Sequence, residues 1–88
     1  MGLQVVTSDA HILGVVKGAR IDTTTWTVRY LNVKLADAAA NRLGMKKRFG
    51  SPTISIPVSM IQAVAEMIAV SKSLGELEKA KEVVEYKE

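Results

Sequence analysis

The 88-residue chain has no cysteine, a single histidine, two prolines and only four aromatic residues. Without cysteine it can form neither a disulfide framework nor a thiolate zinc site, and an intracellular location fits best. It has no apolar run near the roughly 20 residues of a membrane span, and its first residues lack the pattern of a signal peptide. We therefore expect a soluble, cytoplasmic protein with one small domain, too short for a two-domain enzyme.

The charge is divided unevenly along the chain. Residues 1–52 hold eight Lys or Arg against three Asp, whereas residues 53–88 hold four Lys against six Glu. This asymmetry leaves three interpretations open: ordinary surface scatter, a surface for nucleic acid, or complementary packing between subunits. Charge alone therefore does not assign a partner.

Segments rich in Val, Ile and Thr alternate with small polar turns, which predicts a mainly β fold. The predicted strands are residues 5–7, 12–21, 26–35, 54–58 and 67–70. Three successive alanines before Gly44 predict a short helix over 36–43 with a glycine C-cap. Pro57 has no N–H to donate, so 54–58 is an edge strand or ends there. Ser59 is interpreted as the N-cap of one helical turn over 59–64.

Two of these strands are expected to bend. Gly14 and Gly18 lie inside the strand 12–21, and glycines within a strand are typical of a bulge where the inward-facing parity changes. The strand 26–35 changes the parity of its apolar residues between Val28 and Leu31. Two long bent strands in succession favour a small barrel.

Residues 73–88 are predicted to form a helical tail that follows the domain of residues 1–72. Ser73 is the expected N-cap, and Glu76 completes a capping box three residues later. The apolar stripe of the tail consists of Leu74, Leu77, Ala80 and Val84. A stripe this narrow does not stabilise an isolated helix, so the tail packs on its own domain or on a partner subunit.

Three stretches of the chain together resemble one known family. They are residues 8–22, residues 26–35 and residues 54–61 with the following 67–70. With Gly14 in the opening hairpin and Pro57 in the later strand, residues 3–77 resemble the PRC-barrel domain, most closely its short archaeal stand-alone branch. Ala10 departs from the family, because it stands where a turn glycine is usual. The resemblance implies a small PRC-type β-barrel with one short inserted helix and a C-terminal helix.

No arrangement of side chains in the sequence indicates catalysis or a cofactor. His11 lies near Asp9 without a nucleophile in a matching motif, and Asp22 is the only further candidate metal ligand in the first hairpin. The six glycines do not occur in a phosphate-binding spacing. We therefore expect no enzyme activity, no metal site and no cofactor.

The resemblance and the apolar pattern together predict a non-enzymatic adaptor that binds other proteins and forms a homodimer. The strand 12–21 has apolar residues on both faces, and a domain this small cannot bury them all. The candidate interface residues are Val15, Val16, Leu74, Leu77 and Val84. Some similar archaeal PRC-barrel proteins are cell-division adaptors, which implies the membrane anchor of the tubulin-like division ring as one partner.

The alternative is an RNA- or ribosome-associated factor resembling the barrel domain of the ribosome-maturation factor. Its candidate anion or RNA contacts are Lys46, Lys47, Arg48 and Phe49, a basic triplet beside an aromatic ring. Nucleic acid is the less favoured partner, because only 5 % of the residues are aromatic.

Overall fold

A computed structural model describes residues 2–44, 52–80 and 83–86, with the backbone alone for 84–86. Its elements in chain order are strands β1 (Gln4–Val6), β2 (Ile12–Asp22) and β3 (Thr27–Leu35), helix α1 (Asp37–Arg42), strand β4 (Thr53–Pro57), a 3₁₀ turn (Val58–Met60), strands β5 (Ile61–Val64) and β6 (Ile68–Val70), helix α2 (Leu74–Lys79) and strand β7 (Val84–Tyr86). The mainly β class and the short inserted helix are confirmed.

The seven strands form one sheet in the order β5-β6-β1-β2-β3-β4-β7. Neighbouring strands are antiparallel except β1 and β6, which pair in parallel with Val5 opposite Ile68. Strands β5 and β7 lie at the two ends of the sheet, and no pairing joins them within the described residues. Among the described residues the sheet is therefore open, and a closed barrel stays a prediction.

The bend predicted near Gly18 is confirmed. Val16 of β2 lies opposite Val33 of β3. The next pair is Gly18 opposite Asn32, so β2 contains one extra residue at this point. An extra residue on one strand is a β-bulge, which increases the local twist and re-aims the side chains that follow.

The parity change predicted for the second long strand is confirmed too. Arg20 lies opposite Tyr30, and the next pair is Ile21 opposite Val28. Here the extra residue is on β3, between Val28 and Tyr30. Two bulges on opposite strands of one hairpin therefore separate its turn end from the part that faces the core.

The core collects apolar side chains from the strands and from both helices. Its buried members are Val5, Leu13, Val16, Val33, Leu35, Ala39, Ala40, Ile54, Ile56, Met60, Ile68, Val70, Leu74 and Leu77. Strand β4 lies between β3 and β7 and is buried on both faces, with Ser55 donating a hydrogen bond to Asn32 at 2.8 Å. Of the two alternatives for 54–58, the strand end at Pro57 is the one observed.

Two of the three predicted helix caps are confirmed, those at Gly44 and Ser73. Gly44 follows α1 with φ of 68°, the left-handed conformation that favours glycine after a helix. At the start of α2, the Ser73 side chain accepts a hydrogen bond from the Glu76 N–H at 3.2 Å. The Glu76 carboxylate accepts one from the Ser73 N–H at 2.9 Å, which completes the capping box.

The helical turn predicted over 59–64 is wrong beyond Met60. The predicted N-cap is wrong too, because Ser59 lies inside the 3₁₀ turn, whose N-cap is Pro57 and has no side-chain hydrogen bond. Residues 61–64 form strand β5, in which Ile61 lies opposite Val70 of β6. Pairing with β6 provides the backbone of this segment with inter-strand hydrogen bonds, and a local sequence pattern does not reveal such a distant partner.

The predicted helical tail is wrong in its second half. Helix α2 ends at Lys79, and the chain continues as strand β7, where Val84 pairs with Ser55 of β4. Val84 therefore does not belong to a helical stripe with Leu74 and Leu77. Without β7, strand β4 would present an unpaired edge, which proteins commonly cover.

Gly14 lies where β3 passes closest to β2. A Cβ at this position would lie 2.0 Å from the carbonyl oxygen of Lys34 and 3.0 Å from Cα of Leu35. Both neighbours are backbone atoms, so they cannot rotate away as a side chain can. Any residue other than glycine must push the two strands apart.

We expect Gly14→Ala to lower the free energy of unfolding by about 3 kcal/mol or more, because the added methyl group overlaps backbone atoms. Gly75→Ala is the matched control, because no heavy atom lies within 4 Å of that Cβ position. Alanine favours helix α2, so the control should gain about 0.5–1 kcal/mol. Urea unfolding measures both variants, and similar stabilities would contradict the close approach.

We expect Ala10→Gly to raise the free energy of unfolding by about 0.5–1 kcal/mol, because Ala10 has φ of 65° and alanine pays a steric cost there. The control is Ala38→Gly, on the exposed side of α1, which should lose roughly 0.5–1 kcal/mol. Thermal unfolding distinguishes the two, and a loss of stability in Ala10→Gly would show that this turn does not need a left-handed residue.

Candidate interaction surface

A groove of about 750 Å³ lies where the β1–β2 turn meets α1 and the start of α2. Its lining residues are Ala10, His11, Ile12, Ala36, Ala38, Ala39, Asn41, Arg42 and Leu74. Four of these are alanines, whose short side chains leave the space open. Polar atoms are confined to a few residues of the lining, which suits an apolar occupant with a small number of polar contacts.

A second groove of about 270 Å³ adjoins the first along β2. Its lining residues are Gln4, Ile12, Gly14, Val15, Lys34, Leu35 and Ala36. Because Ile12 and Ala36 line both grooves, the two form one continuous region, which we call the Ile12 surface. Ile12 is 52 % exposed and Val15 is 37 % exposed, so this region presents large apolar side chains to solvent.

Backbone hydrogen bonds hold the elements of the Ile12 surface together. The N–H of Ala36 donates to the carbonyl oxygen of Leu13 at 2.9 Å, which attaches the start of α1 to β2. Ala39 and Ala40 of α1 are buried in the core. With only methyl groups on its inner side, the helix lies against the core without covering Ile12.

The β1–β2 turn is fixed by Thr7 and Asp9. The N–H of Thr7 donates to the His11 carbonyl at 2.9 Å, and the Thr7 hydroxyl accepts from the His11 N–H at 3.1 Å. The same hydroxyl donates to the carboxylate of Asp9. Asp9 also accepts from the N–H of Leu74 at 3.4 Å, so the turn is linked to α2.

Asp9 and His11 form an exposed pair at the rim of the groove. The His11 Nε2 lies 3.6 Å from Oδ2 of Asp9, and each side chain is about half exposed. An exposed ion pair contributes little to stability. Asp22, the third candidate ligand, lies at the other end of β2, and the part of the chain that the structure describes has no group of three His, Cys, Asp or Glu placed to hold a metal.

The structure separates the five predicted interface residues. Val15 is exposed on the Ile12 surface, and Leu74 lies buried at its base. Val16 and Leu77 are 4 % and 2 % exposed, so they pack in the core of this chain and offer no surface to a partner. Strand alternation explains the difference between Val15 and Val16, which point to opposite faces. Val84 lies on β7, where only the backbone is described.

The predicted anion or RNA contacts fall outside the described residues. These are Lys46, Lys47, Arg48 and Phe49, within the segment 45–51. A nucleic-acid contact through them stays a prediction.

Sequence reasoning missed an exposed apolar group at the turn of the β2–β3 hairpin. The sequence pattern predicts Trp26 as the first residue of the strand 26–35. In the structure Trp26 lies in the turn before Thr27, and its side chain is 78 % exposed. Ile21 and Val28 beside it are 55 % and 42 % exposed. The small polar residues 22–25 between the two predicted strands are typical of a turn. Strand propensity, however, does not distinguish a buried tryptophan from a solvent-exposed one.

No protein-family model matches the chain, and no curated protein is significantly similar to it. Within the described ranges, neither helix combines the length and the apolar character that crossing a membrane requires.

We expect Asp9 to make stability depend on pH in the acid range. The hydrogen bond from Thr7 lowers the pKa of Asp9 below its ordinary value of 3.8. Because the folded state binds this proton less readily than the unfolded state, the hydrogen bond stabilises the fold above pH 3.8. This stabilisation is lost as the pH falls through the folded-state pKa of Asp9. Asp9→Asn should therefore flatten the decline in melting temperature between about pH 4 and pH 2.

Glu78→Gln is the control for net charge in this titration, because it removes one acidic group from an exposed position of α2. If the two variants show the same acid profile, the Thr7–Asp9 hydrogen bond does not stabilise the folded state.

Proposed function

We propose that this protein is a non-enzymatic adaptor that forms a homodimer through the Ile12 surface and binds another protein. The observation that carries the proposal is the exposure of Ile12 and Val15 beside two adjoining grooves. Large apolar side chains next to a concave surface favour association, because a partner removes them from water.

The charges at the rims of the groove support self-association. The carboxylate of Asp9 lies at the turn side, and Arg42 lies at the α1 side. In a two-fold dimer each surface meets its own copy, so the acidic rim of one protomer can face the basic rim of the other. Such complementary placement orients a pair even where each exposed ion pair contributes little.

The proposal includes membership of the PRC-barrel family. What supports it is the order of the elements: a long bulged hairpin, a short helix, a strand that ends at Pro57, a 3₁₀ turn and the later strand β6. By that resemblance, the first partner to test is the membrane anchor of the tubulin-like division ring. Calorimetric titration of the anchor with the wild-type protein and with a variant of the Ile12 surface is the appropriate comparison.

We expect Val15→Lys to convert the dimer into a folded monomer. A lysine at Val15 would bury an unpaired charge in the interface, which raises the dissociation constant about a hundredfold or more. Light scattering coupled to size-exclusion chromatography measures the mass, and circular dichroism checks the fold.

Val16→Lys is the matched control, because it places the same charge one residue along the same strand. Val16 is 4 % exposed, so this variant should unfold rather than dissociate, with a loss of several kcal/mol, on the order of 3–5. A Val15→Lys protein that is folded and still dimeric at micromolar concentration would rule out the Ile12 surface as the dimer interface.

A further inference from the structure

The turn end of the β2–β3 hairpin carries three exposed apolar side chains, which we call the hairpin tip: Ile21, Trp26 and Val28. Ile21 and Val28 lie directly opposite each other in the ladder, so their side chains share one face of the sheet. The exposed fractions are 55 % for Ile21, 42 % for Val28 and 78 % for Trp26. Among the described residues, all three side chains lie outside the buried core.

The backbone conformation of Trp26 is unfavourable for a residue with a bulky side chain. Trp26 has φ of 57°, in the left-handed region where glycine or asparagine is usual and a bulky residue is strained. A tryptophan at this turn therefore costs backbone energy and leaves a large ring in water. A contact with a partner would compensate this cost.

The hairpin tip is held in place by its own turn. The carboxylate of Asp22 accepts a hydrogen bond from the N–H of Thr24 at 2.8 Å. The hydroxyls of Thr25 and Thr27 lie 2.7 Å apart, within hydrogen-bond distance. The ring of Trp26 is therefore presented by an ordered turn, which lowers the entropy cost of binding.

Positive charge surrounds the tip. Arg20 precedes Ile21 and Arg29 follows Val28, and both arginines are exposed. The guanidinium of Arg20 lies 5.1 Å from the centre of the Tyr30 ring, a cation–π contact that leaves its charge in place.

Acidic charge on the hairpin is slight. Between residues 20 and 29 the chain has two basic residues, Arg20 and Arg29, and a single acidic one, Asp22, whose carboxylate is engaged with the turn backbone. The tip is therefore complementary to an anionic surface.

The shape of the tip favours a bilayer over a peptide. No residue of the tip lines either groove of the Ile12 surface, so a peptide that binds in those grooves does not reach the tip. Tryptophan and aliphatic side chains partition into the boundary between headgroups and acyl chains, and flanking arginines attract lipid phosphates. We infer that the hairpin tip docks on an anionic lipid bilayer, with Trp26 inserted at the headgroup level.

This second surface is separate from the first. Ile12 begins β2 and Ile21 lies nine residues further along it, a strand length of up to about 30 Å. A protein bound at the Ile12 surface therefore does not need to cover the tip. Strand β2 therefore has the protein-binding Ile12 surface at its start and the membrane-binding hairpin tip at its end.

Trp26 is the only tryptophan, so its fluorescence reports on the tip directly. We expect its emission to shift to shorter wavelength with vesicles of phosphatidylglycerol and phosphatidylcholine, and to be quenched by brominated lipid. Vesicles of phosphatidylcholine alone should produce little change, and added salt should weaken the binding because it screens the arginines.

Substitutions then assign the binding to the tip. Trp26→Asn removes the ring but introduces a residue that tolerates the left-handed backbone at this position. It should weaken co-sedimentation with the anionic vesicles about tenfold. Arg20→Gln and Arg29→Gln should each weaken it by about fivefold. Val64→Asn is the control, because Val64 is 62 % exposed at the end of β5 and should have no effect.

Several outcomes would overturn the inference. The wild-type protein could remain in the supernatant at low salt with unchanged emission. Binding could survive Trp26→Asn and disappear instead when Lys46, Lys47 and Arg48 are replaced by glutamine. An emission shift that follows protein concentration without lipid would assign the tip to a second copy of the chain, and a response to single-stranded RNA but not to vesicles would assign it to nucleic acid.

Discussion

The close approach of β3 to Gly14 is the constraint on which the rest of the sheet depends. Strand β2 pairs with both β1 and β3, and Gly14 lies between Val5 on one side and Leu35 on the other. Because a Cβ there would meet the Lys34 carbonyl at 2.0 Å, only glycine allows this register of the three strands. The carbonyl oxygen of Leu13, the residue before Gly14, accepts a hydrogen bond from the N–H of Ala36 just before α1. The position of the helix therefore depends on the same part of β2.

The bulges of the β2–β3 hairpin determine how one pair of strands serves two surfaces. Near its start, β2 places Val16 in the core and leaves Val15 on the Ile12 surface. Beyond the extra residue beside Gly18, the hairpin contributes less to the core and ends in exposed apolar side chains. The first surface has small side chains around a groove, and the second has a tryptophan between arginines. This difference in shape and charge is why we propose a protein partner for one and an anionic bilayer for the other.

Features that depend on neighbouring residues could be predicted from the sequence. Glycine lacks a Cβ wherever it occurs, so Gly18 predicted a bulge and Gly44 a helix C-cap. The reciprocal bonds between Ser73 and Glu76 need only the spacing of a capping box. Features with distant partners could not be predicted in this way. Residues 61–64 form a strand because β6 lies beside them, and β7 forms because β4 offers an edge 29 residues earlier in the chain.

The sequence by itself determined the mainly β class, the two bent strands and the helix caps at Gly44 and Ser73. Only the tertiary structure decided which apolar residues form a surface. Val15 and Val16 are chemically identical neighbours, yet one is exposed and the other packs in the core. Strand propensity likewise treats Trp26 as an ordinary strand residue, whereas the turn presents it to solvent. Burial is a property of the space around a side chain, and that space is created by strands and helices that lie far away in the sequence.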